Sequence, residues 1–89
     1  METGLYNNDF SSTFNKLLAK AGVTCYQIHQ FSSIDQGYLS NLRNGRKNNP
    51  SPETIVKIAL ALAHFSSKIT QHDIERLFQS VGRSILVRY

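Results

Sequence analysis

An all-α fold of four to five short helices is what this 89-residue chain predicts. Apolar residues recur at three- and four-residue intervals almost throughout, alternation at period two never persists beyond a few residues, and the periodic stretches are bracketed by helix start and stop signals. There is room for one core only, because a domain of this size buries about two-thirds of its unfolded surface. With 40% apolar residues, five Phe and four Tyr, the composition is that of a folded domain.

Phe10, Phe14, Leu17, Leu18 and Ala21 make the first apolar stripe, with Asp9, Ser11 or Ser12 as cap candidates and Gly22 as its terminator. Thr24-Cys25-Tyr26-Gln27 has capping-box spacing, so a second short helix runs from there to about Phe31. Ser32, Ser33 and Ile34 interrupt the pattern. Asp35 restarts it as an N-cap, and a third helix points Leu39 and Leu42 inward before Gly45 stops it. Beyond the polar loop Arg46-Lys47-Asn48-Asn49, Ser51-Pro52-Glu53 supplies a cap, a proline at the first helical position and a first-turn acid. Ile55, Ile58, Ala59, Leu62 and Ala63 then form the most regular stripe. A fifth helix from Thr70 turns Ile74, Leu77, Phe78 and Val81 inward and ends at Gly82. Phe10, Phe14, Phe31, Phe65 and Phe78 fall mostly at core spacing, which packing explains better than stacking on bases.

These signals divide the chain into an N-terminal arm (1–9), a helical domain (10–82) and a C-terminal tail (83–89). The tail carries Ile85-Leu86-Val87 between Arg83 and Arg88, and reads either as a segment folded back on its own core or as a dimer contact.

Composition narrows the chemistry. Ten Lys plus Arg against six Asp plus Glu give a formal charge of +4, which favours anionic partners. Cys25 is the single cysteine, so no internal disulfide and no thiol metal framework is available, and a reducing compartment is expected. No apolar run approaches the roughly 18 residues that span a bilayer, and METGLYNNDF has neither a basic nor an apolar leader region. A cytoplasmic protein without membrane contact is expected. Cys25 and His29 are four apart on one helix, but no further ligand shares their spacing, so no metal is predicted. Paired carboxylates, a nucleophile elbow and a phosphate-cradling glycine loop are missing too, so neither catalysis nor a cofactor is predicted.

Two short helices joined by three or four residues, the second starting after Asp35, have the spacing of a helix-turn-helix, which presents its second helix to the DNA major groove. On that helix Gln36, Gly37, Ser40 and Asn41 lie outward or at its N-terminal end. Gln and Asn amides pair a donor with an acceptor and so match an adenine edge, while Ser can pair with several bases. A merely solvated helix face is the plainer reading of the same residues. Between Asp35 and Glu53 stand Arg43, Arg46 and Lys47 and no acid, a local charge suited to phosphates. The start of the second helix near Thr24, Tyr26 and Gln27 offers free amides, which also bind phosphate. Gly37 costs about 0.5–1 kcal/mol in a helix relative to Ala, and either permits close approach to a base pair or sits in the tolerant first turn.

The stretch from Gly22 through Tyr38-Leu39-Ser40-Asn41-Leu42-Arg43-Asn44-Gly45-Arg46 to Pro50-Ser51-Pro52 and on to Leu62 resembles the Cro/CI-type helix-turn-helix family, also called the Xre family, over roughly residues 10–65. The resemblance implies a compact lambda-repressor-like domain that binds operator double-stranded DNA, generally as a homodimer on inverted half-sites. It places base reading at Gln36, Gly37, Ser40 and Asn41, and phosphate contact at Thr24, Tyr26, Gln27, Arg43, Asn44 and Arg46. Two positions depart from the pattern: His29 stands where the family prefers Ala, and Ser33 where it prefers Gly. Both lie where the two helices pack, and so bear on the pose of the third. The function expected is a transcriptional regulator, a repressor, acting as a dimer. The alternatives are an antitoxin that represses its own operon and grips a toxin, or a protein-interaction module on the same fold.

Overall fold

Five helices form where the local signals stand: α1 (Asp9–Ala21), α2 (Cys25–Ser32), α3 (Gln36–Asn44), α4 (Pro52–Phe65) and α5 (Gln71–Gln79), with no strand among the described residues, 9–81. The expected arm, Asp9 apart, and the expected tail lie outside the described residues. So does Gly82.

Local hydrogen bonds explain the boundaries. Gly22, at φ +69°, closes α1: its N–H donates to the Ala19 carbonyl at 3.3 Å, and the Val23 N–H donates to that of Leu18 at 3.0 Å. This is the double closure that a left-handed residue permits, with Val23 buried behind it. Thr24 and Gln27 form a reciprocal capping box on α2, and Thr70 and Asp73 form another on α5. Asp35 accepts from the Tyr38 N–H and Ser51 from the Thr54 N–H, with Pro52 opening α4. Gly45, at φ +87°, ends α3. Two expectations need correction. Ser11 is not a cap but a buried helical residue whose hydroxyl donates to the Arg43 carbonyl at 2.6 Å. α5 stops at Gln79 instead of Gly82, because the Ser80 hydroxyl donates back to the Leu77 carbonyl at 2.6 Å and draws the last turn closed.

One core joins all five helices: Phe10, Phe14, Leu17 and Leu18 of α1 meet Ile28 of α2, Leu39 and Leu42 of α3, Ile55, Ile58 and Leu62 of α4, and Leu77 and Phe78 of α5. α1 packs on α3, α4 and α5, while α2 packs on α3 and α4. α4 therefore buries Ala61 on the flank away from Ala63, which is exposed although it falls in the predicted stripe. Phe31 and Phe65 are corrected as well. They are 44% and 39% exposed and form a surface cluster with His64, whose ring stacks on Phe31 at 4.5 Å. Beside the core, the Lys20 ammonium meets the Asp73 carboxylate at 2.6 Å and ties α1 to α5. Burial, the strongest single influence on that carboxyl, works to raise it. Hydrogen bonds from Lys20 and Thr70 outweigh burial and hold it below the ordinary carboxylate value.

Candidate nucleic-acid interface

Only Ser33, Ile34 and Asp35 separate α2 from α3. Ser33 reverses the chain in the left-handed region, at φ 67° and ψ 10°, with its N–H donated to the His29 carbonyl at 2.8 Å. For an L-residue that conformation costs about 1–2 kcal/mol. Neighbouring side chains hold it in place. His29 Nδ1 lies 2.7 Å from the Ile34 carbonyl, and since a carbonyl only accepts, the ring carries its proton there. The Ser32 hydroxyl donates to the Ile28 carbonyl at 2.6 Å and accepts from the Ile34 N–H at 3.1 Å. His29 and Ser33, the two departures from the resembled pattern, are thus the residues that shape and clamp this turn.

From that turn α3 projects a polar face. Leu39 and Leu42, wholly buried, fix its inward side. Gln36, Gly37 and Ser40 are exposed and Asn41 is half-buried. Among the described residues, no hydrogen bond engages the side chains of Gln36, Ser40 or Asn41. A Cβ built on Gly37 would stand 3.0 Å from Asp35 Oδ2, so this glycine also leaves room for the carboxylate that caps α3. The far end of α3 is held from α1, where Ser11 and Asn15 both donate to the Arg43 carbonyl, at 2.6 and 3.0 Å.

The groups flanking this face keep donors free. Gln27 Oε1 accepts from the Thr24 N–H at 2.9 Å, the Tyr26 hydroxyl accepts from Gln30 at 3.0 Å, and Asn44 Oδ1 accepts from the Arg46 N–H at 3.1 Å. Each acceptor is used internally, and among the described residues nothing takes up the amide hydrogens of Gln27 and Asn44 or the hydroxyl hydrogen of Tyr26, which suit an outside acceptor. A phosphate, which only accepts here, is such a partner. Thr24 contributes least directly, since its hydroxyl accepts from the Gln27 N–H at 3.2 Å and also approaches Gln27 Oε1 at 3.4 Å.

Arg43 leans back towards the start of α2. It lines a cleft of about 510 Å³ with Asn15, Thr24 and Cys25, so a guanidinium and the first-turn amides of an eight-residue helix sit together. Burial raises the Cys25 thiol above its ordinary value, and the Arg43 charge and hydrogen bond only partly oppose that. Burial therefore favours the protonated, less nucleophilic thiol. Arg46 and Lys47 are exposed and enter no ion pair among the described residues; the nearest acid in sequence, Glu53, sits 3.7 Å from Lys57.

All eleven predicted site residues thus lie on α3, on the loop after it or on the first turn of α2. Sequence reasoning missed Ser11 and Asn15, whose partner is 28 to 32 residues away and leaves no local signal. Comparison with known protein families, curated proteins and solved structures finds no match to this chain.

Proposed function

We propose that this chain is a sequence-specific DNA-binding regulator, a repressor of the Cro/CI-type helix-turn-helix kind, working in the cytoplasm without catalysis or cofactor. One observation carries the reading. The unengaged side chains of Gln36, Ser40 and Asn41 stand on the outer face of α3, with free donors and cations on both sides of them. Gln36 and Asn41 match adenine edges, Ser40 pairs more permissively, and Gly37 lets the backbone approach a base pair. Tyr26, Gln27, Arg43, Asn44, Arg46 and Lys47 hold the flanking phosphates, and Thr24 organises the α2 amides that join them. One α3 covers only a few base pairs. Useful specificity then calls for a homodimer whose two reading helices lie about 34 Å apart on inverted half-sites.

Selection from a random duplex library tests the proposal. Enrichment of an inverted repeat with half-sites about one helical turn apart is the expected result. A library that enriches no sequence, even at low salt, would overturn it.

A second reading has its own support in the exposed aromatic cluster of Phe31, His64 and Phe65, a surface suited to another protein. A toxin held by an autorepressing antitoxin would be one such partner. Retention of a protein partner by a chain that enriches no DNA would favour this module.

A further inference from the structure

The exposed side of α4 carries the Glu53–Lys57 ion pair and His64, but also two large apolar side chains. Val56 and Leu60, one turn apart, are 43% and 57% exposed. With Ala59, Ala63, Ile74 and Phe78 they line an open groove of about 190 Å³ between α4 and α5.

We propose that the groove is occupied by the chain's own segment Ile85-Leu86-Val87, docked within the same molecule. Reach and position argue for it. α5 borders the groove through Ile74 and Phe78, and Val81, the last described residue, stands one turn beyond Phe78. Gly82, Arg83 and Ser84 intervene, and the four steps from Val81 to Ile85 span about 13 Å when extended. Packed helix axes stand only about 8–10 Å apart, so that is enough to cross from α5 to the groove. Gly82 permits the reversal that this path needs. In an extended segment Ile85 and Val87 share one face, which suits a groove walled entirely by apolar residues. Tethering gives the segment an effective concentration in the millimolar range for a short linker, well above that of a second copy in dilute solution. The proposal does not depend on DNA binding.

Methyl-labelled full-length chain tests it by nuclear Overhauser contacts. Ile85 or Val87 methyls should contact those of Val56 or Leu60, within one molecule and independently of dilution. Leu60→Asp alters an exposed position and leaves the core intact. It should abolish these contacts and speed tryptic cleavage after Arg83 about tenfold, as a docked segment becomes a free one. Contacts seen only between differently labelled copies would give the groove to a second molecule. Tail methyls without contact to α4, with cleavage indifferent to Leu60→Asp, would leave the segment undocked. Either result overturns the proposal.

Discussion

Replacing Ser33 by glycine should stabilise the protein, although it removes a side chain and adds freedom to the unfolded chain. Ser33 sits at φ 67°, ψ 10°, where a Cβ costs about 1–2 kcal/mol and glycine pays no such penalty. Against that gain stands the unfolded-state entropy of glycine, about 0.4–1 kcal/mol. Nothing else changes: the side chain is exposed and forms no hydrogen bond among the described residues, and the N–H to the His29 carbonyl survives. The two ranges leave a net gain centred on about 0.8 kcal/mol, or about 3–6 °C in Tm for a domain of this size. Ser33→Ala, which keeps the Cβ, should stay within about 0.5 kcal/mol of the parent. Calorimetry or thermal circular dichroism reads both. A glycine variant no more stable than the parent would refute the claim that this turn stores strain.

His29→Ala should cost about 1–2 kcal/mol in chemical denaturation, because the part-buried Ile34 carbonyl loses its donor; a variant as stable as the parent would remove His29 from the clamp. Acid unfolding should report Asp73. Its carboxyl is held below the ordinary value, so its stabilising contribution is complete above about pH 4 and is lost as pH falls through the folded value. Lys20→Met leaves burial less opposed and should move the acid limb to higher pH, whereas an unmoved limb would contradict the ion-pair account. Cys25 should react with iodoacetamide more slowly at pH 7.5 than in the unfolded chain, since burial raises its thiol. Equal rates would show the thiol to be as acidic folded as unfolded.

Much of this molecule is written in short-range signals. Thr24 with Gln27, Asp35, Ser51 with Pro52, and Thr70 with Asp73 each act within four residues, so the helix starts are legible from sequence. Gly22 and Gly45 mark their ends for the same reason. Long-range pairings are not legible. Periodicity shows that Phe31 and Phe65 lie on helix faces, but which face finds a neighbour depends on how α2 meets α4, and both ended on the surface. The donation of Ser11 and Asn15 to Arg43 depends likewise on α1 meeting α3. The outward placing of Gln36, Ser40 and Asn41 was legible because Leu39 and Leu42 fix the opposite side of a single short helix. The left-handed Ser33 was not, since its conformation rests on the clamp from His29 and Ser32.

The proposed division of labour between α3 and its loop is open to direct measurement. Fluorescence anisotropy on the selected operator and on random duplex, over a range of salt, separates the two. Asn41→Ala should lose about 1–3 kcal/mol on the operator and nothing on random DNA. Arg46→Ala should weaken both alike and reduce the salt slope by about 0.9. Two variants that behave identically on both DNAs would contradict the assignment of α3 as the reading helix.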